Sequence, residues 1–396
     1  MLEYIRQIRL LWTAAPHEIR ALNGLRAFAI LAVYLFHVAV ALDLPEPVAV
    51  VCSNLWSGVD LFFVLSGYLI YRILRGEYKK TGDIALGSFY LKRVLRIFPA
   101  YYFFLAWAFF QARAQLGEMP DPELLNGLAR DYYEQLSARL PETFWDAVYL
   151  SNYVHGFHLH TWSLAIEEQF YLVFPWLVLL LSRSQPRARL LALVALYAAP
   201  GVLRGLHVMA EPVLAEEAQV EFVRFIGHAF HTRADALLAG VLVYELQDSG
   251  MRLLPAVRIA ITALLAVPML ALAHYDLWMD SPFLLWALKF NFLNLGFAWM
   301  LYLAIEGAGL FSGLLSQRAL VPIARLSYAM YLWHILLSGS AVGTALAAGQ
   351  PPWMGALRGL GMTALAATLS YVFIESPFLV WKRRFQRESR QQAEAD

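Results

Sequence analysis

An arginine and a histidine stand eleven residues apart in an otherwise apolar stretch, RAFAILAVYLFH, which runs from Arg26 to His37. Eleven steps of an α-helix make about three full turns, so both side chains lie on one face, roughly 16 Å apart along the axis. An ionisable side chain inside hydrocarbon is costly unless it faces a protein interior or a water-filled cavity. The stretch therefore indicates either a functional site within a membrane, or an anchor at Arg26 and a structural helix contact at His37.

Other ionisable residues occur within apolar segments at a similar estimated depth. Asp60 lies in SGVDLFFVLSGYLI, Glu167 in TWSLAIEEQFY and His334 in RLSYAMYLWH. A histidine with carboxylates within reach suits general-base chemistry, because imidazole titrates near neutral pH and a carboxylate stabilises its cation. The alternatives are a structural ion pair between Asp60 and Arg233, and a simple helix contact at His334.

A pair of arginines precedes the predicted third span, in SFYLKRVLRIFPAYY. Arg93 and Arg96 are three residues apart and therefore share one helix face. Guanidinium groups suit phosphate recognition through paired, charge-assisted hydrogen bonds. Arginines at a cytoplasmic helix end are also ordinary membrane anchors. Together with the outer layer of histidine and carboxylates, they predict a path between a phosphate-bearing cytoplasmic donor and an outward-facing reaction.

The composition indicates a membrane protein. The 396 residues are 60% hydrophobic and only 15% charged, whereas soluble domains are about a quarter charged. A net charge of +1, without a basic run interleaved with aromatics, gives no basis for nucleic-acid binding. The single Cys52 excludes an internal disulfide and a multi-cysteine metal site. The histidines of YVHGFHLH lack a metal-binding spacing, so we expect no metal.

Apolar runs of about twenty residues predict the transmembrane helices. We predict ten spans, at 22–42, 55–75, 97–116, 160–181, 190–209, 233–246, 256–274, 283–305, 321–346 and 354–381. The predicted fold is thus an all-α polytopic membrane protein, with a ten-helix domain over 22–381. An interfacial helix is expected at 1–21 and a basic, polar tail at 382–396. Arginine and lysine favour the cytoplasmic side of short loops, so both termini are expected in the cytoplasm.

Seven segments, in order, resemble signatures of the acyltransferase 3 family of integral membrane O-acyltransferases. The stretch from Arg26 to His37 is similar to that family's arginine–ten residues–histidine motif. The other six are GVDLFFVLSGYLI, KRVLRIFP, TWSLAIEEQFYLVFP, TRADALLAGVL, ARLSYAMYLWH and FIESPF. The resemblance implies transfer of an acyl group, usually acetyl from acetyl-CoA, to a hydroxyl of a sugar, glycan, lipid or natural product. We expect no fused esterase-like domain.

The resemblance and the polar layer together assign roles to residues. His37 is expected to be the base that activates the acceptor hydroxyl, or else to carry the acyl group itself. The other expected catalytic groups are Glu167 and Asp60. The expected donor-binding residues, for acetyl-CoA or another acyl-CoA, are Arg26, Arg93 and Arg96. The substrate-binding candidates are Trp162, Ser163, Arg233, Tyr331 and His334. A donor to the developing oxyanion is expected among Tyr331, Ser163 and Arg233.

The expected surroundings are a bacterial inner membrane, an acyl-CoA, a carbohydrate or glycan acceptor, and membrane lipid. One alternative function is a proton-coupled transporter that uses the histidine and carboxylate layer as a relay. Transporters often show repeats with broken helices at paired positions, and this sequence shows no such pairing. A second alternative is a catalytically silent membrane sensor or assembly partner.

Overall fold

The computed structural model describes residues 11–13, 18–211, 220–251, 253–273, 283–307 and 309–381. Over these ranges the chain is helical and forms no strand. Helices are the expected solution in hydrocarbon, because each backbone polar group must find its partner within its own segment. The all-α polytopic fold predicted from the sequence is confirmed. The predicted tail at 382–396 and most of the predicted interfacial helix at 1–21 lie outside the described residues.

The helices are numbered here in chain order. They are α1 Arg20–Ala39, α2 Glu46–Ser53, α3 Gly58–Thr81, α4 Leu86–Glu118, α5 Gly127–Arg139, α6 Thr143–Ala147, α7 Thr161–Ser182, α8 Pro186–Ala210, α9 Val220–His228, α10 Phe230–Asp248, α11 Pro255–Ala273, α12 Lys289–Glu306, α13 Gly309–Leu315, α14 Leu320–Ala347 and α15 Pro352–Leu369. A π-helical turn at Leu284–Leu288 precedes α12, and another at Ser370–Glu375 follows α15.

Eight helical segments of the described ranges are long and apolar enough to cross a membrane. They are Arg20–Ala39, Glu46–Thr81, Leu86–Glu118, Thr161–Ser182, Pro186–Ala210, Trp286–Glu306, Leu320–Ala347 and Pro352–Trp381. Each matches one of the ten predicted spans. The remaining two predicted spans, 233–246 and 256–274, correspond to α10 and α11, which are helical but are not among the eight. The count of ten therefore stays a prediction.

The chain divides into two compact units. The larger unit comprises residues 1–84, 173–227 and 231–372, and the smaller unit comprises 85–172, 228–230 and 373–396. The main core of the larger unit is formed by α1, α3, α10 and α12. Its fully buried members include Leu25, Ala29, Leu61, Val64 and Leu301.

Close packing of α3 against α10 depends on two glycines. A Cβ at Gly67 of α3 would lie 1.8 Å from the backbone oxygen of Leu237, and one at Gly240 of α10 would lie 1.9 Å from that of Val64. Apolar burial gives little net driving force between helices in lipid, so association depends on close packing, which small residues permit. Only glycine fits where the two backbones approach each other in this way.

A second cluster in the larger unit joins α1 to α14 and α15. Tyr34 and Val38 of α1 pack with Val342 of α14 and Ala356 of α15. The hydroxyl of Tyr34 also donates a hydrogen bond of 2.5 Å to the carbonyl oxygen of Ala356. Because His37 lies on α1 and His334 on α14, this cluster packs together the two helices that carry the histidines.

In the smaller unit, α6 is tied to α4, and the segment between α6 and α7 is tied to the first half of α7. The hydroxyl of Tyr101 on α4 donates to the carbonyl of Asp146 at 2.8 Å. The side-chain amides of Asn152 and Gln169 exchange two hydrogen bonds, of 3.0 and 2.8 Å. These contacts give a long connection a defined shape at the start of the helix that carries Glu167.

Candidate active site

Two histidines from different helices meet in the larger unit. Nε2 of His334 lies 3.3 Å from Nδ1 of His37, and the two rings are nearly perpendicular, with their centroids 4.8 Å apart. His334 is fully buried, whereas His37 is partly exposed. The sequence placed the two residues at similar depth, and the structure brings them into contact. Complete burial argues against the predicted direct contact of His334 with substrate.

The local backbone fixes the tautomer of His37. Its Nδ1 lies 2.8 Å from the carbonyl oxygen of Val33, one helical turn earlier. A carbonyl only accepts hydrogen bonds, so in the neutral ring Nδ1 carries the hydrogen and Nε2 carries the lone pair. No described residue forms a hydrogen bond with Nε2. The basic nitrogen of the partly exposed histidine is therefore available to a substrate.

Tyr331 lies beside this pair, and Arg26 lies farther along the helix that carries His37. Arg26 and His37 belong to the unbroken helix α1, and Arg26 is half-buried. The ring of Tyr331 lies 5.3 Å from the ring of His334, and Phe62 of α3 packs against Tyr331 at 6.4 Å. Of the predicted site residues in this unit, His37, His334 and Tyr331 thus form one group.

Asp60 and Arg233 form a separate group. They make an ion pair between α3 and α10, and both side chains are fully buried. The Arg233 guanidinium also lies 3.9 Å from the ring centroid of Phe290. A structural ion pair with Arg233 was the alternative considered for Asp60 in the sequence analysis. The two charges are engaged with each other, which favours a structural role. A catalytic role for Asp60 and a substrate contact for Arg233 stay predictions.

A second buried ion pair, which was not predicted, joins α8 to α10. Arg204 of α8 donates to Asp235 of α10 at 2.8 Å and to the side chain of Asn291 at 2.7 Å. Both charged side chains are fully buried. Buried charges persist where they are paired and hydrogen-bonded. The available signal was Arg204 itself, an ionisable residue within a predicted span.

In the smaller unit, Arg93 lies beside the carboxylates of α7. Its guanidinium is 5.5 Å from the ring of Tyr171 and close enough to Glu167 and Glu168 for electrostatic attraction. The hydroxyl of Tyr171 donates to Glu167 at 2.9 Å. Arg96 lies within electrostatic range of Glu375.

The separation predicted between Arg93 and Glu167 is therefore wrong. The prediction placed Arg93 and Arg96 at a cytoplasmic mouth, before a span that begins at residue 97, and placed Glu167 in a distant layer. Helix α4 begins at Leu86, so Arg93 lies about two turns inside the helix. There its guanidinium is close enough to Glu167 and Glu168 for electrostatic interaction.

The remaining predicted substrate residues begin α7. Trp162 stacks on His228, with the ring centroids 4.2 Å apart and the planes 12° from parallel. Ser163 donates to the carbonyl of His160 at 3.0 Å, within the first turn of the helix. The stacked pair is half-buried. A substrate-binding role for Trp162 stays a prediction.

Two titratable groups before α7 are perturbed by burial, Asp146 in α6 and His158 in the connection that follows it. Burial raises the pKa of Asp146 to about 6, although hydrogen bonds from Thr161 and from backbone amides oppose the shift. The Thr161 hydroxyl donates to Asp146 at 2.6 Å. Burial lowers the pKa of His158 to about 4, and the nearby positive charge of Arg139 lowers it further. His158 is thus held neutral in a packed connection beside the carboxylate helix.

The fold and these groups define a class of protein. It is an integral, multi-pass membrane protein whose buried parts hold a histidine pair, paired charges and an arginine–carboxylate cluster, an arrangement suited to proton transfer. A family model described as an acyltransferase domain matches residues 19–375. The chain belongs to this family, acyltransferase 3.

Curated relatives of the chain include O-acetyltransferases. The O-acetyltransferase OatA of Staphylococcus aureus (strain NCTC 8325 / PS 47) is 28% identical over 376 residues, which cover 92% of this chain and 57% of OatA. The putative O-acetyltransferase SACOL0978 of Staphylococcus aureus (strain COL) is 27% identical over 376 residues, covering 91% of this chain and 57% of the relative. The chain therefore spans little more than half the length of these relatives. No solved structure matches the chain.

Proposed function

We propose that the protein is a membrane O-acyltransferase that moves an acyl group, with acetyl as the first candidate, from acyl-CoA to a hydroxyl of a sugar or glycan. Membership in the acyltransferase 3 family and similarity to O-acetyltransferases support this reaction. The observation that carries the proposal is His37, whose Nδ1 faces a carbonyl and whose Nε2 is available as a base. The comparisons give the transporter alternative no support.

His37 acts on the acceptor hydroxyl. Its Nε2 takes the hydroxyl proton while the acceptor oxygen attacks the thioester carbonyl. When the tetrahedral intermediate collapses, the C–S bond breaks and the CoA sulfur receives the proton from Nε2. The ester and free CoA are then the products, and His37 returns to its neutral form. A covalent acyl-histidine is the other route open to the same side chain.

The donor and the oxyanion need cationic and hydrogen-bonding groups. For donor phosphates we propose Arg93 and Arg96, with Arg26 toward the acyl end. A guanidinium offers five N–H donors in a planar fork, so one arginine can serve a carboxylate and a phosphate together. For the oxyanion we favour Tyr331, because it lies beside the histidine pair while Ser163 donates within its own helix.

We place the protein in the bacterial inner (cytoplasmic) membrane, with both termini in the cytoplasm. The sequence supports this placement through arginine and lysine at the predicted cytoplasmic ends. A cytoplasmic acyl-CoA would then serve an acceptor on the outer side.

Release of the CoA thiol tests the proposed function. Purified protein in lipid nanodiscs is given acetyl-CoA and a panel of sugars, glycans and lipid-linked sugars, and free thiol is measured. We expect release that depends on at least one hydroxyl acceptor, with an acetyl ester in the product. Proton flux in proteoliposomes, without release of thiol for any acceptor, would instead support the transporter.

A further inference from the structure

We propose that His334 is a positioning residue for His37, and that its Nε2 accepts the Nδ1 hydrogen of His37 and stabilises the imidazolium formed during acyl transfer. The inference rests on the proposed function, because it assigns a partner to the proposed base. It is carried by the contact of 3.3 Å between the two ring nitrogens and by the backbone carbonyls that face each ring.

The backbone determines the tautomer of His334. Its Nδ1 lies 2.7 Å from the carbonyl oxygen of Tyr331 within the same helix. Because a carbonyl accepts only, Nδ1 of His334 carries the hydrogen, and in the neutral ring Nε2 carries the lone pair. This Nε2, with its lone pair, is the atom of His334 that faces His37.

The two rings are complementary in this state. Nδ1 of His37 carries a hydrogen that lies between two acceptors, the carbonyl of Val33 at 2.8 Å and Nε2 of His334 at 3.3 Å. This shared hydrogen bond fixes the plane of the His37 ring and directs Nε2 away from His334. The same arrangement excludes the other tautomer of His37, because the lone pairs of His37 Nδ1 and His334 Nε2 would then face each other.

Protonation of His37 strengthens this contact. When Nε2 takes the acceptor proton, the ring becomes a cation and its Nδ1–H becomes a charge-assisted donor to His334. In serine hydrolases a buried carboxylate fills this place, but no described carboxylate forms a hydrogen bond or an ion pair with His37. A neutral imidazole gives a weaker electrostatic gain, yet it adds no buried negative charge to the membrane interior.

The burial of His334 separates this role from direct catalysis. His334 is fully buried, so it acts on the reaction through His37 and not by touching the acceptor. The Nδ1 hydrogen stays on His37 throughout, and His334 returns unchanged after each turnover.

Substitution of His334 by leucine and by glutamine tests the inference. Leucine has no acceptor, so we expect kcat to fall about 10- to 100-fold, the loss typical of one hydrogen bond to a charged group. KM for the acceptor should change less than about threefold, because His334 does not touch it. Glutamine offers a side-chain oxygen in a similar place and should restore most of kcat.

The outcomes distinguish this inference from the proposed function. Wild-type kcat in a folded His334→Leu variant would overturn the inference, while loss of transfer in His37→Ala would leave the proposed function intact. An equal loss in the leucine and glutamine variants would also overturn it, because it would show a purely steric role. If the leucine variant does not fold, His334→Met supplies a second apolar replacement. Donor binding by calorimetry checks the fold of every variant.

Discussion

Replacing Arg93 with lysine separates a donor-binding role from that of a membrane anchor. Lysine keeps the positive charge, so the attraction to Glu167 and Glu168 is largely retained. The substitution removes the planar fork that binds phosphate through two parallel hydrogen bonds. A hydrogen bond to a charged group contributes about 1.5–3 kcal/mol, so loss of one should raise the Kd for acyl-CoA roughly 10- to 100-fold.

Calorimetry in detergent measures this effect directly. Acyl-CoA is titrated into the wild type, Arg93→Lys and Arg96→Lys, with Arg130→Lys as the matched control. Arg130 is exposed and forms an ion pair of 2.8 Å with Glu134, one helical turn away. Exposed pairs contribute about 0–1 kcal/mol, so the control should bind the donor as the wild type does.

The contrary result is equally clear. Unchanged dissociation constants in Arg93→Lys and Arg96→Lys would mean that these arginines serve only their carboxylate partners. The donor phosphates would then bind elsewhere, with Arg26 and Arg75 as the next candidates. Arg75 is a buried arginine on α3 whose Nε has no hydrogen-bond partner among the described residues.

Three further predictions concern topology, packing and pH. Cysteines introduced at Glu123 and Lys80, after replacement of the native cysteine, should be labelled from outside only at position 123; labelling at 80 would overturn the orientation. Gly67→Ala should sharply lower the folded yield and Tm, because its Cβ would overlap a backbone carbonyl. The control Gly76→Ala, on the same helix but with open space around the Cβ, should be neutral or slightly stabilising. Equal behaviour of the two variants would refute the close contact between α3 and α10. Burial and Arg139 lower the pKa of His158 from its ordinary value of 6.5 to about 4, so the unfolded state binds the proton first and stability falls as pH drops from about 6.5 to 4. The Tm of His158→Gln relative to the wild type should therefore rise over that range, and a constant difference would contradict the burial of this ring.

The sequence predicted the helical class and eight of the spans because these depend on local hydropathy. It also predicted that His37 and His334 lie at similar depth, since depth follows from the position of a residue within its span. It did not predict that Arg93 lies beside Glu167, because that contact depends on which helices pack together, and the apolar run predicted as a span at 97–116 begins eleven residues after the helix does. A charged first turn lowers local hydropathy, so the run that marks a span begins after the helix does.

Contacts between helices were harder to predict than their positions. The ion pair of Arg204 with Asp235 joins helices that are adjacent in space and distant in sequence. The choice of neighbours depends on backbone approach, as at Gly67 and Gly240, where a missing side chain lets two helices meet. Hydropathy carries no information on that choice. For the same reason, the sequence suggested a carboxylate partner for His37, whereas the structure places His334 there.

The turnover of His37→Ala tests the central claim most directly. The variant is compared with the wild type for acyl transfer from acyl-CoA to an accepted hydroxyl, and donor binding is measured on the same preparations. We predict a loss of about 10²–10⁴ in kcat, the usual effect of removing a general base, with the Kd for acyl-CoA nearly unchanged. Near-wild-type turnover in a folded His37→Ala variant that binds donor normally would contradict the account and leave His334 as the next candidate base.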